Sequence, residues 1–282
     1  MPFEGLRVLS LESRRAKDME TLITRYGGVP FVAPSVKERS LDDPGEALKF
    51  VEELEAGAFD MVIFMTGVGL AFLRDTVKAH IPVDRLSEAL RRAAIVARGP
   101  KPVPVLRELG VPPTIVIPEP NTWREIVSAV RNRPERRVIV QEYGRPNDEL
   151  TQALEDLGAR VWCFSNYKWD LPDDLEPLRN AVRKIAAGEV DVVLFTSSIQ
   201  LDHLLEIAAE LNLGREVRDR LANHLVIASV GPIMTDRLAA LGFPPDIIPA
   251  QPKMGALVKA ASEQAVEKLA RKRASPAVQR LN

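Results

Sequence analysis

Short apolar, largely β-branched runs recur along the chain, each followed by a polar turn and then by apolar residues at helical spacing. Val62-Ile63-Phe64, Val192-Val193-Leu194-Phe195 and Val226-Ile227-Ala228 show no polar alternation, the pattern of parallel strands covered by helices on both faces. Each block reads as a βα unit. Gly27, Gly110, Gly158 and Gly242 stand where helices should close before the next strand.

The blocks repeat once, at an offset of about 131 residues. Arg7-Val8-Leu9 returns as Arg137-Val138-Ile139, and Phe59 to Gly67 returns as Val190 to Ser198. Gly99-Pro100 returns as Gly231-Pro232, with Leu106 to Pro113 matched by Leu238 to Pro245. Three blocks in one order predict an α/β fold of two similar doubly wound, flavodoxin/Rossmann-like domains, each with a parallel sheet. Two segments break the rhythm at equivalent places, Val29 to Leu41 and Val161 to Leu171, both extended in character and flanked by Pro. A contiguous tandem would divide near residue 133. Equivalent extended segments also let the chain cross between domains and return, and spacing leaves both arrangements open.

With 46% hydrophobic and 27% charged residues the chain is ordinarily globular, and its net charge of -1 removes any global case for nucleic acid or an anionic membrane. Residues 271–282 are basic, with Arg271, Lys272, Arg273 and Arg280 and no acid, and read as a disordered tail. One cysteine, Cys163, excludes an intramolecular disulfide and reads as a buried packing residue. His80, His203 and His224 lack metal-ligand spacing, so no metal site is expected and the histidines read as structural. No run reaches the ~18 apolar residues of a membrane helix and no signal peptide opens the chain, so a cytoplasmic location is expected.

Open α/β sheets bind ligands at the carboxyl ends of their strands, which makes six loops the candidates. Ser10 to Arg15 brings Arg14 and Arg15, Thr66 to Gly69 brings Thr66 and Gly67, and Arg98 to Pro102 brings Arg98, Gly99 and Lys101. Their repeat partners are Gln141 to Pro146, with Tyr143, Gly144 and Arg145; Thr196 to Gln200, with Thr196, Ser197 and Ser198; and Val230 to Thr235, with Gly231 and Thr235. Lys253 lies beside the last. Hydroxyls, glycines and helix N-termini suit anions, and the cations would offset a net negative body. The spacing G-x-G-x-x-G is absent, which argues against a dinucleotide or nucleotide-sugar enzyme. In the second extended segment, Tyr167 and Lys168 point to opposite faces of a strand.

Together, Val192 to Ser198, Ile227 to Thr235, Leu238 to Gly242, Gly158 to Val161 and the Tyr167-Lys168 pair resemble the uroporphyrinogen-III synthase family over residues 5 to 265. The resemblance implies two α/β domains joined by a two-stranded β-ladder. Carried over, residues 1–34 and 180–270 form domain 1 and 45–165 form domain 2, with connectors 35–44 and 166–179. It further implies an enzyme, a monomer without a cofactor, that loses water from the linear tetrapyrrole hydroxymethylbilane and closes it to uroporphyrinogen III with inversion of the last ring, in an interdomain cleft. On this reading the candidate loops hold the substrate's carboxylates, and Tyr167 assists as proton donor to the departing hydroxyl. Met65 to Gly69 has one hydroxyl fewer than the family pattern, and Arg98 and Lys101 flank Gly99-Pro100 where the family has a small residue and a Thr. These departures motivate the alternative, a non-catalytic regulatory module that binds a tetrapyrrole or another polyanion.

Overall fold

The computed structural model describes residues 2–41, 43–142 and 146–274. In chain order its first elements are β1 (Arg7–Ser10), α1 (Ala16–Arg25), β2 (Val29–Val32), β3 (Lys37–Ser40), α2 (Gly45–Glu55), β4 (Met61–Phe64), α3 (Gly67–His80), α4 (Val83–Leu90), β5 (Ala94–Ala97), α5 (Val103–Glu108), β6 (Ile115–Val116) and α6 (Trp123–Val130). There follow β7 (Arg137–Gln141), α7 (Asp148–Asp156), β8 (Arg160–Phe164), β9 (Tyr167–Asp170), α8 (Glu176–Ala186), β10 (Val192–Phe195), α9 (Ser198–Glu210), α10 (Gly214–Asn223), β11 (Val226–Ser229), α11 (Pro232–Ala240) and α12 (Met254–Ala274). Two compact units result, Met1–Lys37 with Asp170–Asn282, and Glu38–Trp169. The chain therefore leaves the first unit and returns to it, rather than dividing near residue 133.

The first unit has a four-stranded parallel sheet in the order β11-β10-β1-β2. Alternate side chains point to opposite faces. Leu9, Val193, Phe195 and Ile227 pack with Leu178 and Val182 of α8, Leu204 and Ile207 of α9 and Val217 of α10. Val8, Val192, Leu194 and Val226 meet Met19 and Ile23 of α1 and Leu257, Ala261 and Leu269 of α12 on the other face. The helices that follow the neighbouring strands β1 and β10 thus lie on opposite faces. That divergence makes the carboxyl ends of the two strands the topological switch point of this sheet.

The second unit repeats the design with five parallel strands in the order β6-β5-β4-β7-β8. Val62, Phe64, Ile95 and Ile139 pack against α2 through Phe50 and Leu54 and against α3 through Leu70 and Leu73. Met61, Ile63, Val138 and Val140 pack against Ile126 and Val130 of α6 and Leu150 and Leu154 of α7. Here the helices after β4 and β7 diverge, so this unit's switch point lies at Phe64 and Gln141. The extended segments each break into two strands, and β3 pairs with β9 in a separate two-stranded sheet.

Two expectations are corrected. Cys163 is exposed, because β8 is an edge strand and only its Phe164 turns fully into the core; Sγ stands 3.5 Å from the Thr151 hydroxyl. The start of the supposed disordered tail is helical: α12 runs to Ala274, with Lys272 2.8 Å from Asp246 and Arg273 2.8 Å from Asp191. Residues 275–282 lie outside the described residues. No helix among the described residues is long and apolar enough to cross a membrane.

Candidate functional site

In the second unit, β4 ends in the polar turn that opens α3. Thr66 is extended and its hydroxyl accepts the Gly69 amide at 3.0 Å, satisfying one of the orphan N–H groups of the first helical turn. The same hydroxyl lies 3.0 Å from the phenol of Tyr167. Tyr167 is only 1% exposed, and its ring centroid stands 5.9 Å from that of Phe72. Thr66, by contrast, is partly exposed.

Close packing fixes this turn from three sides. A Cβ at Gly69 would fall 2.6 Å from the side-chain carbonyl carbon of Gln141, so the buried Gln141 amide occupies the room a side chain would need. A Cβ at Gly67 would fall 2.9 Å from the Lys101 carbonyl carbon, which brings the Thr66 and Lys101 loops together. Asn166, buried and next to Tyr167, donates from Nδ2 to the Gly69 carbonyl at 2.7 Å. Gln141 Oε1 and Asn166 Oδ1 are buried with no hydrogen-bond partner among the described residues. Glu142, also buried, accepts the Ser165 hydroxyl at 2.9 Å.

Gly99 adopts φ +77°, and the Asn121 side chain approaches to 2.5 Å of where a Cβ would stand, so this turn needs glycine on both counts. Arg98 is half-buried, and its amide donates to the Phe64 carbonyl at 3.0 Å. Lys101 is exposed. Tyr143, Gly144 and Arg145 lie outside the described residues.

In the first unit the equivalent turn closes on itself. Gln200 Oε1 accepts the amides of Thr196 at 2.8 Å and Ser197 at 3.3 Å, while Nε2 donates to the Thr196 hydroxyl at 2.8 Å and to the Leu11 carbonyl at 3.3 Å. Thr196 in turn donates to the Glu12 carboxylate at 2.5 Å. Thr196, Ser197, Glu12 and Gln200 are therefore one internally bonded cluster, and Ser198 is buried behind it. The Thr196 and Ser197 amides that the sequence offers to an anion are already taken, with the Glu12 carboxylate alongside.

Arg15 is exposed and bonds Asp18 at 2.6 Å, beside Arg14. At the end of β11 the buried Ser229 donates to the Gly231 carbonyl at 3.1 Å and accepts from Thr235 at 3.0 Å. Lys253 follows Pro252, whose side chain packs against Gly231, and is exposed. Within each unit the predicted loops gather at the carboxyl ends of the strands. Sequence reasoning passed over Glu12, Gln200, Gln141, Glu142 and Asn166. For Gln200 a signal existed, since a Gln three residues after Ser197 is capping-box spacing.

A family model described as uroporphyrinogen-III synthase HemD matches residues 17–259. Bacillus subtilis (strain 168) has an uncharacterised protein, YjjA, that is 28% identical over 261 residues, 90% of this chain and 94% of that one. A putative uroporphyrinogen-III synthase of Methanothermobacter thermautotrophicus is 27% identical over 234 residues, covering 81% and 87%. Among solved structures, a mutant uroporphyrinogen III synthase from the extremely thermophilic bacterium Thermus thermophilus superposes with TM-score 0.67 at 24% identity, over 94% of this chain and all (100%) of that one. The Helicobacter pylori uroporphyrinogen-III synthetase gives TM-score 0.56 at 15% identity, covering 91% and 98%. By fold and by sequence, this chain belongs to the uroporphyrinogen-III synthase family.

Proposed function

We propose that the chain is an active uroporphyrinogen-III synthase, a lyase that removes water from hydroxymethylbilane and closes the product to uroporphyrinogen III. The observation that carries this reading is the Thr66–Tyr167 hydroxyl pair at the switch point of the second unit, in a member of this family. Loss of the terminal hydroxyl leaves an azafulvene that closes unaided to the wrong isomer, so the protein has to supply restraint and one well-placed proton. The hydroxyl pair is built for the second task.

Acetate and propionate groups of the substrate are met by the N-terminal turn of α3 with Gly67, Arg98, Gly99 and Lys101, and in the first unit by Arg14, Arg15, Gly231, Thr235 and Lys253. Thr196, Ser197 and Ser198 join them only if a ligand displaces Gln200. Tyr143, Gly144 and Arg145, outside the described residues, are further substrate contacts on this reading.

Supplying hydroxymethylbilane enzymatically and separating the oxidised products by chromatography tests the proposal. Isomer III is expected in excess and in proportion to protein; isomer I alone at every concentration contradicts it. A second reading, a non-catalytic tetrapyrrole- or polyanion-binding module, is favoured by the burial of the Tyr167 phenol and by a Met65 to Gly69 turn with one hydroxyl fewer than the family pattern. It predicts saturable binding of uroporphyrin III together with isomer I alone.

A further inference from the structure

The burial of Tyr167 separates the phenol from any ligand, while its hydroxyl partner Thr66 is partly exposed. We infer that Thr66 is the group that touches the departing hydroxyl and that Tyr167 acts through it, as a two-residue proton relay. This rests on the synthase reading and assigns its proton donor to a different residue.

The hydrogen-bond inventory gives the direction. A threonine hydroxyl has two acceptor positions and one proton. One position of Thr66 Oγ1 takes the Gly69 amide at 3.0 Å. The phenol, 3.0 Å away, is the more acidic of the two hydroxyls and fills the second position as donor, which turns the Thr66 proton outward. A ring of contacts holds this arrangement: Asn166 donates to the Gly69 carbonyl at 2.7 Å, Gly69 donates to Thr66, Thr66 meets Tyr167, and Tyr167 follows Asn166 in the chain. Nothing similar stands among the described residues of the first unit, where Lys37 occupies the repeat position of Tyr167 and Gln200 that of Gly69.

The step balances without a co-reactant. The terminal pyrrole nitrogen pushes its electron pair toward the methylene as the C–O bond breaks, and the leaving oxygen takes the Thr66 proton and departs as water. Tyr167 reprotonates Thr66 and becomes a phenolate, whose charge offsets that of the azafulvenium formed. The methylene first bonds to the substituted carbon of the last ring, the bond from that carbon to its original methylene breaks, and the released methylene bonds to the free carbon of the inverted ring; the proton lost from that carbon returns through Thr66 to the phenolate.

Five variants test the relay in the isomer-III assay: Thr66→Val, Tyr167→Phe, their double, Thr66→Ser, and Thr66→Asn, which keeps a capping oxygen but no hydroxyl. Each of Thr66→Val, Thr66→Asn and Tyr167→Phe should lower kcat by about 100-fold with KM little changed. The double variant should fall no further than Tyr167→Phe, because both act in one path, and Thr66→Ser should recover most of the rate. Activity of Thr66→Asn within a few-fold of wild type beside a slow Tyr167→Phe overturns the relay and leaves the synthase reading intact, as do losses that multiply in the double variant. A wild-type protein that yields isomer I alone overturns both.

Discussion

The two units solve the start of their central strands alike and the end of them differently. In the first, Asp191 takes the Arg7 amide and guanidinium at 2.9 Å while the guanidinium also donates to the Gly188 carbonyl at 2.8 Å. In the second, Asp60 takes the Arg137 amide at 2.8 Å and Nε at 3.2 Å, and the guanidinium donates to the Gly57 carbonyl at 2.7 Å. At the opposite end the polar turns diverge. The third helical residue is Gln200 in one unit and Gly69 in the other, and the facing strand ends carry Leu11 and Gln141. A glutamine fills the turn each time, from the helix in one unit and from the strand in the other. The lesson is that amino ends of the strands carry stability and keep their chemistry, while the carboxyl ends are free to specialise.

The clamps differ in burial, which sets the largest expected effect. The Asp191 side chain is 8% exposed and that of Asp60 34%. Asp191→Ala should cost about 3 kcal/mol or more, by stranding partly buried guanidinium donors, and Asp60→Ala about 1 kcal/mol. Urea melts of the two variants compare them directly, and equal losses would break the contrast.

Acid should find the same asymmetry. Burial pushes the Asp191 carboxyl up, but the Arg7 hydrogen bonds and charge, with Arg273, outweigh it and hold the group at about 2. A depressed folded value contributes stability that is complete above the unfolded value of about 4 and is lost as pH falls through the folded one, on the order of 2 kcal/mol. Melts between pH 5 and pH 2 should show this loss and Asp191→Asn should flatten it; an unchanged slope in the variant would contradict the assignment.

At the turns, Gly69→Gln forces a side chain into the space of Gln141 and should cost about 2 kcal/mol. Adding Gln141→Leu copies the arrangement of the first unit and should restore much of that loss. Two substitutions that simply add would show that the glutamines are not interchangeable. Smallest of all, Arg273→Ala removes an exposed partner of Asp191 and should cost about 0.5 kcal/mol while raising that carboxyl's pKa.

Much of this architecture could be read from the chain because duplication doubles every weak signal: Val62 to Phe64 and Val192 to Phe195 each allow several folds, and together they impose one. The clamps were equally present as Arg7 and Arg137 before one strand and Asp60 and Asp191 before another, but pairing them needs strand order, which spacing does not contain. Cys163 was misjudged because an apolar run does not reveal which strand lies at an edge. Arg273 was misjudged because a basic run reads as solvated until Asp191 is placed within reach of it. For the turns, composition identified hydroxyls and glycines but not who had already claimed them: Glu12 is a neighbour of Thr196 only once β1 and β10 are adjacent, whereas Gln200 is local to the turn and was signalled only by its capping-box spacing.

The most direct test of unequal turns is amide hydrogen exchange with and without uroporphyrin III as the probe ligand. Protection should rise at Gly67 and Val68 and stay unchanged at Thr196 and Ser197, whose amides Gln200 already holds. Protection gained at Thr196 and Ser197, with none at Gly67 and Val68, would contradict the account.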